Sequence, residues 1–152
     1  MLYGLIGEKL GHSYSCEIHE KIADYHYELR EIPREELADF FAKRDFKGIN
    51  VTIPYKEAVM PLLDEISDTA KAVGAVNTVV NRGGRLYGYN TDLAGMTAML
   101  RRAGIDPSGK KALVLGTGGT SKTARAVLKS LGAASITLVL SLIHISEPTR
   151  PY

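Results

Sequence analysis

One cysteine, Cys16, is all that the 152-residue chain contains, so neither a disulfide framework nor a cysteine-based metal site can be assembled within it. No window approaches the roughly 20 apolar residues of a membrane span. The apolar stretch after Met1 is too short for a secretory signal and meets Glu8 within a few residues. A strong charge excess is missing too: 19 basic against 17 acidic residues leave a formal net charge of +2. The basic residues are scattered rather than blocked, which leaves no footprint for nucleic acid or a membrane surface. There is no internal repeat and no low-complexity tract. These absences leave a soluble, cytoplasmic protein as the expectation. Its hydrophobic content of 45% and charged content of 24% are ordinary for a globular chain, and its length suits one domain or one domain and part of another.

What is present is an alternation of short apolar runs with helical patterns, the signature of βαβ units and a mostly parallel sheet. Leu2–Ile6 reads as a strand ended by Gly7, and Ser15 as the N-cap of a helix reaching about Ala23. Residues 25–32 alternate as a strand. Pro33 opens a helix through Lys43 that buries Leu37, Phe40 and Phe41. A strand over 48–53 precedes a helix begun by Pro54, and a further helix covers 67–73 with Asp68 in its first turn. Strands at 76–81 and 86–89 flank Arg82-Gly83-Gly84-Arg85 as a hairpin. A helix over 93–102 ends at Gly104, a C′ glycine. Residues 106–110, with Pro107 and Gly109, form the best linker in the chain. After it come a strand (111–115), a glycine-rich turn (116–121), a helix (122–131) and a strand (135–139), which make one βαβ unit.

The turn Gly116-Thr117-Gly118-Gly119-Thr120-Ser121 lies between strand and helix. Glycines there let the backbone approach a pyrophosphate, and the helix N-terminus offers free N–H groups. Ser121 holds the third glycine position of G-x-G-x-x-G, and the bland reading is a tight βα connection. The same residues, through Lys122 and Thr123, also fall one substitution short of the P-loop pattern of NTPases. The lost glycine removes the torsional freedom that loop needs, and no downstream Asp-ended strand is present to hold Mg²⁺.

Four polar motifs fall where strands end, the positions that line ligand crevices in open α/β sheets. They are Gly11-His12-Ser13-Tyr14-Ser15, Asn50-Val51-Thr52-Ile53-Pro54-Tyr55-Lys56, Gly74-Ala75-Val76-Asn77-Thr78 and Gly88-Tyr89-Asn90-Thr91-Asp92. Their hydroxyls, amides, one lysine and one aspartate suit a polyhydroxylated acid that exchanges a proton. Each has a plainer reading. Ser15 serves equally as an N-cap, and Asp92 as a first-turn acid favoured by the helix dipole. Lys56 is harder to dismiss, because the first turn of a helix disfavours a cation. Asn50 and Asn77 sit in or beside apolar strands, where an unpaired amide is costly.

Taken in order, H-S-x-S, N-V-T-x-P-x-K, G-A-V-N-T, G-x-N-T-D and G-x-G-G resemble shikimate dehydrogenase from Met1 to about Val139. The resemblance implies a three-layer αβα substrate domain with a mostly parallel sheet over 1–104. A Rossmann-type NADP-binding domain would begin over 105–139. It also implies Lys56 and Asp92 as the catalytic pair, Ser13 and Ser15 on the substrate carboxylate, and Thr52, Asn77 and Thr91 on substrate hydroxyls. Gly116, Gly118 and Gly119, with Thr120 and Ser121, would lie over the cofactor pyrophosphate. The implied reaction is reversible hydride transfer between NADPH and 3-dehydroshikimate, giving shikimate for chorismate and aromatic amino-acid biosynthesis. No metal takes part, and the parent enzyme is a monomer or homodimer. Lys56 would protonate the oxygen that receives the charge, with Asp92 orienting it.

Other readings stand beside this one: an NAD-tolerant quinate/shikimate dehydrogenase, a shikimate-binding module without catalysis, and the P-loop NTPase. The chain also departs from the family pattern. Cys16 stands where Pro is usual and Glu20 where Asn is frequent, which points to altered packing of the first helix. Residues 140–152 resemble the translation of a sequencing-library adapter, a scar to exclude from fold reasoning, and His144 is not read as a ligand. The last strand could still run on to Leu142 or Ile145, since that stretch is apolar and β-branched. One βαβ unit cannot cover both faces of its own sheet. By itself this polypeptide is therefore expected to be poorly soluble, or folded only in its first domain, and unable to turn over NADPH.

Overall fold

The computed structural model describes residues 2–11 and 13–139. The chain divides into two compact units, Met1–Gly95 and Met96–Tyr152. The division lies inside a helix, and the polar stretch over 106–110 falls within the second unit.

The first unit is built on β1 (Tyr3–Gly7), β2 (Glu28–Glu31), β3 (Gly48–Val51), β4 (Glu65–Ile66), β5 (Thr78–Arg82) and β6 (Arg85–Tyr89). They form one sheet in the order β2-β1-β3-β5-β6-β4. The pairs β1–β2, β1–β3 and β4–β6 are parallel, and β5 runs antiparallel to both of its neighbours. The sheet is therefore mostly parallel, with one reversed strand.

Helices α1 (Ser15–Ile22), α2 (Leu37–Lys43), α3 (Tyr55–Ala58) and α4 (Asp68–Val73) sort onto its two faces by the two-residue alternation of the strands. Ile6, Ile49, Val51, Val79 and Leu86 point to one face and form the larger core with Phe41 of α2, Tyr55 of α3 and Ala70 of α4. Leu5 points to the other face, where it packs with Leu10 and Tyr27 against Cys16 of α1. Helices on both faces make the αβα arrangement, and Asn50 falls between Ile49 and Val51 on the face turned away from the larger core.

Several local expectations change. After Pro33 the chain makes a short 3₁₀ turn, Arg34–Glu36, before α2, and Phe40 is only partly buried because Leu37 and Phe41 take the inward positions. Ser15 is not a side-chain cap. It is the first residue of α1, Tyr14 occupies the cap position without capping, and Ser13 Oγ accepts from Ser15 N at 3.2 Å. Ser67 does cap α4, its hydroxyl accepting from Ala70 N. The two-residue β4 was invisible in the sequence, being too short to show a period; neighbouring Asp64 and Ser67 donate their N–H groups to Leu86 and Gly88 of β6. The hairpin turn uses Gly83 at φ 59° and Gly84 at φ 88°, left-handed torsions that only glycine adopts freely.

Helix α5 (Asp92–Arg102) leads to Gly104, at φ 69°. In the second unit β7 (Lys111–Leu115) and β8 (Ser135–Val139) pair in parallel, with α6 (Gly119–Ser130) as the crossover. Thr123 and Val127 of α6 are buried, as is Val114 of β7. On the alternate positions of β7, Leu113 and Leu115 are 62% and 74% exposed. Residues 140–152, including the suggested strand extension and His144, lie outside the described residues. Among the described residues no helix is long and apolar enough to cross a membrane.

Candidate active site

Parallel β3 and β6 end at the same edge of the sheet as the one at which reversed β5 begins. Three polar motifs consequently converge: the chain leaving β3 (Thr52 to Lys56), the residue entering β5 (Asn77) and the chain leaving β6 (Asn90 to Asp92). Backbone bonds pin them together, since Val51 N donates to Asn77 O at 2.8 Å, Asn77 N to Tyr89 O at 3.0 Å and Val76 N to Lys56 O at 2.7 Å.

Lys56 Nζ donates to Asp92 Oδ2 at 2.7 Å, with the two side chains 28% and 38% exposed. Asp92 Oδ1 accepts from Asn77 Nδ2 at 2.8 Å. Asp92 is the first residue of α5, so its dipole-favoured position and its ion pair hold together rather than compete. The dipole argument about Lys56 weakens, because α3 is a single turn of four residues with little dipole to oppose a cation. Its carboxylate partner is the better reason for its placement.

Asn77, 7% exposed, uses its whole carboxamide. Nδ2 also donates to Thr91 Oγ1 at 2.9 Å, while Oδ1 accepts from Thr91 N at 3.0 Å and from Thr78 Oγ1 at 3.0 Å. Asn50 is joined to the same cluster, donating to Thr78 Oγ1 at 3.2 Å and accepting from Tyr27 Oη at 2.6 Å. Asn90 is buried and structural: Nδ2 donates to Ala75 O, and Oδ1 accepts from Leu93 N in the first turn of α5. No buried side-chain polar atom among the described residues lacks a partner, so the cost feared for these amides is met by mutual pairing.

Ser13 and Thr52 line a separate recess of about 380 Å³ with Leu5, Glu8, Leu10 and Pro54. The Ser13 and Ser15 hydroxyls meet at 3.0 Å. Thr52 is anchored through its backbone, N to Ile6 O at 2.9 Å. His12 lies outside the described residues.

In the second unit the glycine-rich turn is shorter than expected. Helix α6 begins at Gly119 rather than at Lys122, which puts Thr120 and Ser121 in its first turn. Gly116 stands at φ 92°, where glycine is required. A Cβ at Gly116, Gly118 or Gly119 would meet nothing within 4 Å, so the backbone is approachable there. With residues 119–123 already helical, the extended cradle of a P-loop is not formed. No group of three or more His, Cys, Asp or Glu among the described residues is placed to hold a metal ion.

The family model for the shikimate dehydrogenase substrate binding domain matches residues 5–79, the stretch that carries β1 through most of the site. The first unit belongs to that family. A shikimate dehydrogenase (NADP(+)) of Clostridium perfringens is 45% identical over 146 residues, which cover 91% of this chain and 54% of the relative. Among solved structures, shikimate dehydrogenase 1 of Peptoclostridium difficile superposes with a TM-score of 0.85 at 41% identity, covering 90% of this chain and 54% of that one. The Thermus thermophilus shikimate 5-dehydrogenase, solved with NADP(H) and shikimate, gives a TM-score of 0.80 at 36% identity over 91% of this chain and 56% of that one. The chain spans about half the length of these relatives.

Within this shikimate dehydrogenase domain the motif residues Lys56, Asp92, Asn77 and Thr91 stand in one cluster, Ser13 and Thr52 line the recess, and Ser15 meets Ser13. Sequence reasoning missed Tyr27 and Thr78. Tyr27 carried no signal apart from its place in an alternating strand. Thr78 was quoted within a motif but given no role, although it donates to Asn77. Cys16, on α1, donates Sγ–H to Tyr27 O at 3.3 Å.

Proposed function

We propose that this chain carries the substrate-binding and proton-transfer part of an NADP-dependent shikimate dehydrogenase, which reduces 3-dehydroshikimate reversibly to shikimate. The observation that carries the reading is the Lys56–Asp92 pair at 2.7 Å, with Asn77 on the second carboxylate oxygen. Reduction of a carbonyl leaves charge on its oxygen, and Lys56 Nζ, an ammonium oriented by Asp92, stabilises that charge and gives up the proton. In the oxidative direction the same amine takes the proton back. Asn77, itself bonded to Thr91, holds Asp92, and Asn77 and Thr91 contact substrate hydroxyls. Ser13 and Ser15, whose hydroxyls already face one another, receive the substrate carboxylate, and Thr52, on the wall of the recess, contacts a substrate hydroxyl.

NADPH fits the second unit through the open backbone at Gly116, Gly118 and Gly119 and the N–H of Thr120 at the start of the twelve-residue α6, with Ser121, whose own N–H goes to Gly118 O, in the same turn. When bound it supplies the hydride. The parent protein is proposed to be cytoplasmic, a monomer or homodimer, and without a nucleic-acid partner. The test is shikimate oxidation with NADP⁺ by the complete protein, run beside shikimate binding by calorimetry. Turnover lost in Lys56→Ala with binding retained supports the reading. Binding without turnover in the unaltered complete protein would instead make it a shikimate-binding module.

A further inference from the structure

The hydrogen bonds behind Asn77 run in one direction. Tyr27 is 3% exposed, its ring stacked on His19 with centroids 3.8 Å apart and planes 11° from parallel. Its hydroxyl donates to Asn50 Oδ1 at 2.6 Å. That contact turns the Asn50 amide nitrogen toward Thr78 Oγ1 at 3.2 Å and, more loosely, Asn77 O at 3.4 Å. Thr78 has a single hydroxyl proton. With its oxygen already accepting from Asn50, that proton goes to Asn77 Oδ1 at 3.0 Å. Asn77 then has its NH₂ left for Asp92 Oδ1 at 2.8 Å, and Asp92 keeps Oδ2 for Lys56 at 2.7 Å.

We propose that Tyr27 and Thr78, linked through Asn50, are positioning residues that, together with the Thr91 N–H that donates to Asn77 Oδ1 at 3.0 Å, hold the orientation of the Asn77 carboxamide and thereby the oxygen that Asp92 turns to Lys56. Neither touches the Lys56–Asp92 pair; they act by setting the polarity of the bonds between. Removing the Tyr27 proton lets Asn50 turn its carbonyl toward Thr78. The Thr78 hydroxyl then donates to Asn50 and withdraws from Asn77. Burial pushes the Tyr27 phenol well above its ordinary value, which keeps its proton in place as the donor to Asn50. The catalytic weight of this arrangement rests on the function proposed above, whereas the polarity itself does not.

The experiment uses the complete protein labelled in its asparagine side-chain nitrogens, with the Asn77 carboxamide assigned by its disappearance in Asn77→Asp. The unaltered protein should show a well-separated, slowly exchanging pair of Asn77 carboxamide protons. Thr78→Val should speed their exchange by about tenfold, the scale of one neutral hydrogen bond, and lower kcat by about as much, with KM for shikimate within about twofold. Thr78→Ser should restore both. Tyr27→Phe should act in the same direction but more weakly, because the bond from the Asn50 NH₂ to Asn77 O opposes the turn of its carboxamide. Unchanged protection in Thr78→Val, or an equal loss in Thr78→Ser, overturns the proposal, the second result assigning the effect to packing. Should one variant fail to fold, the other decides on the same criterion. If the unaltered protein does not oxidise shikimate at all, the functional reading falls while the carboxamide result still decides the polarity.

Discussion

Asp92→Asn is the sharpest perturbation available, because it preserves the shape of the side chain and inverts one of its contacts. Both partners of Asp92 are donors: Lys56 Nζ at 2.7 Å and Asn77 Nδ2 at 2.8 Å. A carboxamide must turn its own NH₂ toward one of them, so one charge-assisted bond is replaced by a donor–donor conflict. Hydrogen bonds to charged groups are worth about 1.5–3 kcal/mol, and the loss of orientation at Lys56 should lower kcat by roughly 10- to 150-fold. The stability cost is smaller, since the pair is about one-third exposed and such pairs contribute about 1 kcal/mol or less. In a unit of this size that is a Tm fall of at most about 4–8 °C. The assays are steady-state shikimate oxidation by the complete protein and thermal unfolding of the same variants. Lys56→Met added to Asp92→Asn should recover part of the Tm, because the NH₂ no longer faces an ammonium, while kcat stays down. A kcat for Asp92→Asn within twofold of the unaltered protein, or strictly additive Tm losses in the double variant, would refute the reasoning.

Lys56→Ala in the complete protein should cost about 10²–10⁴-fold in turnover, the usual range for a positioned proton donor, with shikimate affinity little changed; a loss confined to KM would contradict the role. Gly88→Ala should destabilise the first unit by about 1–3 kcal/mol. Its new Cβ would fall 2.5 Å from Leu63 Cδ1 and 3.0 Å from Val76 Cγ2 inside the larger core, and chemical denaturation measures the cost. Asp64 accepts from Leu86 N at 2.7 Å and from Arg44 at 2.8 Å, contacts that hold its carboxyl below the ordinary 3.8. A lowered carboxyl contributes stability above the unfolded value and loses it as pH falls through the folded one. The acid side of the stability profile, below about pH 4, should therefore flatten in Asp64→Asn, as acid titration by circular dichroism will show. The 152-residue polypeptide by itself should not oxidise shikimate with NADP⁺, because Leu113 and Leu115 leave one face of the β7–β8 pair uncovered; measurable turnover would contradict this.

Much of this fold was legible because its elements advertise their period. The alternation Ile49, Asn50, Val51 marks β3 and assigns its faces from the residues alone, and the Gly83-Gly84 turn requires torsions that name the hairpin. The failures share a cause. The starts of α1 and α6 were misplaced by one and three residues because a helix start is set by which N–H groups find partners, and here Ser13 and Gly118 supply them. Residues 65 and 66 are too few to show a period at all. In the site, Lys56 and Asn77 could be singled out because each looks locally uncomfortable in the sequence, a cation at a helix start and an amide beside apolar strands, whereas Asp92 is at ease in its first turn and stood out only through its motif. Tyr27 and Thr78 are comfortable where they stand, and only the hydrogen bonds they make reveal them.

The reversal of β5 explains why those three residues, scattered over 36 positions of sequence, share one hydrogen-bonded cluster. In an all-parallel sheet the residue entering a strand lies at the opposite edge from the residues leaving its neighbours, so Asn77 would be a strand length away from Lys56 and Asp92. Turning β5 around places its first residues, not its last, at the edge where β3 and β6 end; the tight Gly83-Gly84 turn then returns the chain so that Thr78 pairs with Tyr89. The same turn that closes the hairpin thus sets the distance between Asn77 and Asp92. A one-residue insertion there that slips β6 by one step against β5 would turn Leu86 out of the larger core and carry the chain from Asn90 to Asp92 out of register with Asn77. Such a variant should lose stability, the Lys56–Asp92 contact and turnover together, as thermal unfolding and steady-state assay will show; a Tm and turnover near those of the unaltered protein would mean that the hairpin register does not govern the site.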